Sequence, residues 1–323
     1  MLIAARVHAG PVEVRWGNIA PEGSSYDKGC GGTLKAEVER DAALAPRVRI
    51  KLFMGAVLGD EGTMLRHTQE GRLQQVAALT MSALAGVAPE LGVFDLPFLF
   101  HDDAEVDAVF RSEKVRARVR ALVEKHGLHL LGIAEAGWRN FAARARPIRV
   151  AADLVGLRTR AMPAPIQLQM WQALGALPQA LGITELLGAL EAGQIDAFDM
   201  QANFLFAASL HTQVRYYTVS RHMYQAGPVV ASTKALPPPI MKGLVEAWSR
   251  TERACVEAIR AENRAVDAEL AKAGVQVLPL AAEARAAFVQ KLAPLRARFR
   301  KATTPAGRAL LDAVEAVLEQ NRR

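Results

Sequence analysis

Cysteine is scarce in this chain, with only Cys30 and Cys255 in 323 residues. Their wide separation excludes a disulfide-dense scaffold and the close spacing of a zinc module. Two unrelated thiols are the expectation, with a bridge between them the alternative. Long apolar runs are missing too. The nearest, ALTMSALAGVAPELGVFDLPFLF (78–100), carries Glu90 and Asp95, which argues against a spanning helix of about 20 apolar residues. Positive charge is in excess, at a net +7, but it is mostly Arg mixed with Glu, as in RACVEAIRAENRAVDAELAKAG (253–274). Without a Lys/Arg block beside stacking aromatics, the pattern reads as a solvated surface. It suits small acidic molecules at least as well as nucleic acid.

Catalytic and metal motifs are also lacking. GCGGTLK (29–35) misses the phosphate-loop spacing and follows no strand. His126 and His129 lie three apart at a helix end without a third ligand, and His101-Asp102-Asp103 reads as a helix start. No G-x-S-x-G is present, and the carboxylates show no pairing suited to acid–base work. No catalytic or metal-ligating residue is assigned. The start, MLIAARVHAGPVEVRW, has a small-x-small end at Val7-His8-Ala9 but no charged and apolar leader before it.

What is present alternates between strand and helix. Strands are expected at 12–18, 47–53 and 73–80, with a helix start at Ser24 or Ser25 and a helix from Asp60 closed by Gly71. VFDLPFLF (93–100) reads as extended around Pro97, and 103–126 as one long charged helix ending near Gly127. Strand 128–134 follows. The second half gives strand 157–162, helix 165–175, a helix capped by Thr184 and stopped by Gly193, and strands 195–198, 222–232 and 275–280. From the triple proline 237–239 a helical pattern runs to about Ala273. At 1.5 Å per residue that is roughly 50 Å, longer than one domain is wide, so it should cross between lobes. The fold class is therefore α/β, with two lobes around a cleft and mostly parallel sheet.

One residue stands out. Arg160 lies in the short strand of GLRTRAMPAPIQLQMWQALGA (156–176), where its neighbours suggest burial. A buried guanidinium needs a partner, and either another part of the chain or a ligand must supply the carboxylate.

LFMGAVLGDEGTML, GVFDLPFLF, GWRNFAARARPIRVAADLVGLRTRAMPAP and ALGALPQALGITELLGALEAGQIDAFD occur in that order and resemble the solute-binding proteins of TRAP transporters, the DctP family. The resemblance runs from about residue 12 to about 280. It implies a secreted, non-enzymatic receptor with a hinge, a central cleft and a long helix spanning both lobes, which hands an organic acid to membrane permease subunits. It also implies a periplasmic location, with the leader truncated or missing in this sequence. The implied organisation is a leader remnant or disordered start at 1–10, lobe I at 11–135 plus about 225–255, lobe II at 136–224 plus about 256–285, and C-terminal helices at 286–323 packing on the lobes.

By the same resemblance Arg160 grips the substrate carboxylate and Arg139 lines the cleft in some members. Glu22, Ser24, Glu61, Thr80 and Ser82 fall in loops after strands that face it. No cofactor is implied, and nothing indicates a cation beside the substrate. The chain departs from the pattern at Asp196-Ala197-Phe198-Asp199-Met200-Gln201, where many members read DGQENP. Met200 replaces an Asn that contacts acid substrates, and Asn203 comes three residues late. Met162, Phe198, Met200, Phe204 and Phe206 would make this side of the cleft apolar or belong to the core. A hydrophobic or amphiphilic cargo is therefore the second reading, for which the resemblance to some relatives implies a helical-repeat periplasmic partner. A cytosolic α/β enzyme is the third.

Overall fold

The computed structural model describes residues 10–323; the signal-like Val7-His8-Ala9 lies outside the described residues. The first half contains β1 (Val12–Gly17), α1 (Thr33–Arg40), β2 (Val48–Phe53), α2 (Glu61–Glu70), β3 (Val76–Ala78), α3 (Met81–Leu84), α4 (Asp103–Arg111), α5 (Glu113–Glu124) and β4 (Leu128–Ala143). The second contains β5 (Arg158–Ala161), α6 (Pro165–Ala173), β6 (Leu177–Ala180), α7 (Ile183–Glu191), β7 (Ala197–Met200), α8 (Ala202–Ala207) and β8 (Tyr216–Ser232). The long helix α9 (Pro238–Lys272), β9 (Gln276–Pro279), α10 (Ala282–Leu292), α11 (Pro294–Ala302) and α12 (Pro305–Asn321) complete the chain.

The strands form one sheet in the order β2-β1-β3-β8-β4-β7-β5-β6, with β9 on β8. Its flanks are parallel, as expected, but its centre is not. β3–β8, β8–β4 and β4–β7 are all antiparallel. The expectation of a mostly parallel sheet is thus corrected to a mixed one. The cause is the length of β4 and β8, 16 and 17 residues, which at about 3.3 Å per residue span some 50 Å. Each serves both lobes. The β4–β8 register shifts between Leu130 and Gly132, Glu135 and Gly137, and Arg139 and Phe141, so the irregularities cluster where the strands pass between lobes.

The 35-residue α9 lies across β4. Glu252 fastens this crossing. Its carboxylate accepts from Trp248 Nε1 at 2.9 Å, from the Ile133 amide at 3.0 Å and from both terminal nitrogens of Arg116 at 2.8 and 3.0 Å. The close approach requires Gly132, where a Cβ would collide with the Glu252 and Trp248 side chains. Cys30 and Cys255 form a disulfide, correcting the expectation of two unrelated thiols. The turn Tyr26–Gly32 stacks Cys30 against the middle of α9, a proximity that a separation of 225 residues hides. At the C-terminus, α10 and α11 pack on α6, and α12 packs on α4 and α5.

Local signals decide most helix ends. Asp60 Oδ1 accepts from Thr63 N at 2.8 Å to start α2, and Gly71, at φ 72°, ends it. Asp102 caps α4 in the same way. Three expectations are corrected. The helix 103–126 breaks at Ser112, whose extended backbone separates α4 from α5; serine readily takes such a boundary conformation. VFDLPFLF is not extended at its start, because Pro89–Asp95 winds into a 3-10 turn with Pro89 at the first position. The cap of α7 is Gly182 rather than Thr184, because Glu185 Oε2 accepts from the Gly182 amide at 2.8 Å. Of the two serines expected to start the helical segment at Tyr26–Gly32, Ser24 accepts from the Asp27 amide at 3.4 Å, whereas the Ser25 hydroxyl donates to Glu262.

Asp95 is buried at the end of that 3-10 turn. Ser82 Oγ donates to its Oδ1 at 2.6 Å, while Oδ2 has no partner among the described residues. Burial pushes its carboxyl up to about 7, against the pull of Ser82 and the Arg139 charge. Because the folded state favours the neutral acid, the associated stability is complete below about pH 4 and lost as pH rises through 7. Asp95→Asn should therefore exceed the wild type by roughly 1–4 kcal/mol at pH 8, with the gap closing towards pH 4, in urea titrations at both values. A gap that does not change with pH would refute this origin. Reducing the Cys30–Cys255 bond should lower unfolding stability by about 2–5 kcal/mol, read as a fall in the urea midpoint; an unmoved midpoint would show that the bond constrains nothing.

Candidate functional site

A cavity of about 420 Å³ opens between the lobes. Its walls come from the loop after β1, the start of α2, the β3–α3 junction, the middle of β4 and β8, the end of β5 and the start of α8. Loops after strands gather here because the strands of each flank end towards the cleft, the usual position for a ligand site.

Two buried arginines border it. Arg139, on β4, is 2% exposed and fully engaged. Its Nε and Nη2 donate to the two Asp199 carboxylate oxygens at 2.6 and 2.9 Å, Nη2 also donates to the Asp199 carbonyl at 2.5 Å, and Nη1 donates to Gln225 Oε1 at 2.6 Å. Burial alone would raise the Asp199 carboxyl; Arg139, with help from His222 at 3.2 Å, holds it well below the usual carboxylate range. Burial lowers the His222 pKa, against the pull of Asp199.

Arg160, at the end of β5, is equally buried at 2%. It makes one hydrogen bond, from Nε to the Leu181 carbonyl at 2.9 Å. Among the described residues no carboxylate lies within ion-pair distance of it, and its two terminal nitrogens have no protein partner. Burial first, and then the neighbouring Arg139 charge, bring its pKa down to about 10, so it stays cationic at neutral pH.

Facing these cations is Glu61, buried at the first turn of α2. Its carboxylate accepts from the Thr80 amide at 2.5 Å and the Thr80 hydroxyl at 3.0 Å. Burial pushes its pKa up, offset in part by Thr80 and by the Arg160 charge. Ser82 links the site to the interior, donating to Asp95 and accepting from Gln225 Nε2 at 2.7 Å.

Of the residues singled out in the sequence, Arg160, Arg139, Glu61, Thr80, Ser82, Met162 and Met200 are brought together on the cavity wall. Glu22, Ser24, Phe198, Asp199 and Asn203 are not. Glu22 is exposed, and the Ser24 hydroxyl turns to the Pro21 carbonyl at 2.6 Å. Phe198 is core, and Asp199 lies behind Arg139. Asn203 is tied to Glu262 and the Tyr26 hydroxyl. Phe204 reaches the wall, whereas Phe206 packs beside the core. Sequence reasoning missed Asn18, Tyr26, Gln201, Gln225 and Trp248 as wall residues. The apolar spacing of Trp248, Cys255 and Ile259 along α9 marks a buried face but does not reveal that part of it borders a cavity. Among the described residues, no group of three His, Cys, Asp or Glu side chains is placed to hold a metal.

This geometry has relatives. The family model described as bacterial extracellular solute-binding protein, family 7 (DctP), matches residues 17–302. A solute-binding protein of Sulfitobacter sp. (strain NAS-14.1) is 30% identical over 203 residues, 62% of this chain and 61% of that protein. The 2,3-diketo-L-gulonate-binding periplasmic protein YiaO of Escherichia coli (strain K12) is 27% identical over 274 residues, 84% of this chain and 82% of that one. Among solved structures, the sugar acid binding protein DctPAm of Advenella mimigardefordensis, in complex with galactonate, superposes with a TM-score of 0.88 at 23% identity, covering 95% of this chain and 99% of that one. A TRAP periplasmic solute-binding protein of Shewanella oneidensis with bound succinate gives 0.87 at 22%, with coverage of 95% and 99%. These likenesses share the two-lobed fold described above, and the chain belongs to the bacterial extracellular solute-binding proteins of family 7, the DctP-type receptors of TRAP transporters.

Proposed function

We propose that the protein binds an organic acid in the interlobe cavity through a bidentate pair between Arg160 and the ligand carboxylate, and passes it to a membrane permease. One observation carries this reading. Arg160 is buried and charged with no internal carboxylate, while its neighbour Arg139 has one. A guanidinium in that position is stabilised by an anion from outside, and its planar fork matches a carboxylate. The relatives whose names state a ligand bind acids such as galactonate and succinate.

Closure follows from the connections. The β4–β8 irregularity at Glu135 and Gly137 faces Gln225 and Ala226, which supports a hinge at the boundaries 135/136 and 224/225. Ligand then favours the closed state by its differential affinity for it. Work outside the cytoplasm is supported by family membership and by the buried disulfide, a bond that persists in oxidising compartments.

Arg160→Ala should weaken acid binding by about 2–5 kcal/mol in titration calorimetry, because the bound carboxylate would be left buried and unpaired; equal affinity in the two proteins removes the assignment. Since the free guanidinium has a pKa of about 10, affinity should hold from neutral pH to about 9 and fall above 10. An affinity that already declines between pH 7 and 8 would point to another group as the anchor.

A further inference from the structure

We infer that the ligand is a monocarboxylate with a largely apolar body of roughly ten or more non-hydrogen atoms, and neither a polyhydroxylated sugar acid nor a short dicarboxylate. The inference rests on the acid-receptor reading above and narrows it. It follows from which wall groups retain hydrogen-bonding capacity.

Most polar side chains around the cavity are already satisfied by each other. The Thr80 hydroxyl donates to Glu61 and accepts from the Ala83 amide. The Ser82 hydroxyl donates to Asp95 and accepts from Gln225. Gln225 Oε1 accepts from Arg139 and from Gln201 Nε2. Asn18 Nδ2 donates to the Ala78 carbonyl and its Oδ1 accepts from the Ala20 amide. The Tyr26 hydroxyl donates to the Ala136 carbonyl at 2.8 Å. What remains is uneven. Both terminal nitrogens of Arg160 are unused, the amide nitrogens of Asn18, Gln201 and Gln225 each keep one N–H, and spare acceptor capacity lies on the carboxylates of Asp60, Glu61 and Glu135 and on Gln201 Oε1.

A sugar acid brings a hydroxyl on nearly every carbon, and each needs a partner when desolvated. Leaving such a group unpaired forfeits its hydration without return. The wall is mostly apolar, so hydroxyls along the body of a sugar acid would face side chains such as Leu65, Met162, Met200 and Phe204, which pair with none of them. A dicarboxylate fails for a different reason. Arg139 is neutralised by Asp199, so a second buried carboxylate would meet Glu61 rather than a cation. The remaining cation, Arg66, lies exposed at the mouth, where an ion pair contributes little.

The rest of the wall is apolar: Ile19, Leu65, Met162, Met200, Phe204 and Trp248. A cavity of about 420 Å³ equals some 14 waters at ~30 Å³ each, more than a four-carbon acid fills. Met200, Phe204 and Trp248 belong to one apolar cluster that also holds the disulfide, so this side of the cavity presents a continuous apolar surface to the ligand body.

The test is titration calorimetry of phenylacetate, 4-phenylbutanoate, succinate and D-galactonate against the wild type, Arg160→Ala and Met200→Asn. At least one apolar acid should bind ten-fold or more tighter than succinate and galactonate, lose that binding in Arg160→Ala, and weaken several-fold in Met200→Asn. Tighter binding of succinate or galactonate that disappears in Arg160→Ala overturns this inference and leaves the acid receptor standing. Binding of any of the four that is unchanged in Arg160→Ala overturns the receptor reading itself. Silence from all four in a wild type that melts cooperatively overturns the inference.

Discussion

Two guanidinium groups are buried beside the same cavity, and the carboxylate of Asp199 is engaged by Arg139 and not by Arg160. A buried ion pair with its hydrogen bonds complete is tolerable, whereas a lone buried charge is not. By closing its fork on Asp199 and Gln225, Arg139 becomes part of the scaffold and fixes β4 to β7 and β8. Arg160 is left with a single bond to a backbone carbonyl and with its two terminal nitrogens directed at the cavity. This allocation inside the protein leaves Arg160 as a buried cation without a carboxylate partner among the described residues.

That allocation depends on the long central strands. β4 and β8 carry Arg139, His222 and Gln225 through the zone between lobes, where the ladder is irregular and the backbone is free to bend. Helix α9 bridges the same zone on one face. Glu252, Trp248 and the Cys30–Cys255 bond anchor it at successive turns. Rigid anchoring on one side and irregular strands on the other suit a cleft that closes about a fixed axis, because the strain of bending is confined to a few residues.

Short-range chemistry was read well from sequence. The cap at Asp60, the left-handed stop at Gly71 and the bounds of α9 depend on residues within a few positions of each other. Ser112 and Gly182 were misjudged because several adjacent residues can cap, and packing selects among them. The strands at 128–134 and 222–232 were found but cut short. GWRNFAA and the segment before His222 lack a clean alternation, since they are buried on both faces in the middle of the sheet. The antiparallel centre of the sheet could not be read at all, as strand direction depends on partners far away in sequence.

Sequence alone determined that Arg160 belonged to a buried strand end and therefore required an anion, because burial of a charge is read from its neighbours. It also determined two lobes, since a helix of 35 residues exceeds one domain's width. Only the tertiary structure showed that, among the described residues, no carboxylate pairs with it. Arg139 and Asp199 are 60 residues apart, and the pairing that removes Asp199 from Arg160 exists because β4 and β7 lie side by side. The same holds for Cys30 with Cys255 and for the mutual satisfaction of Thr80, Ser82 and Gln225. Hydrogen bonds and ion pairs act over about 3 Å in space, and a linear sequence records no such distance.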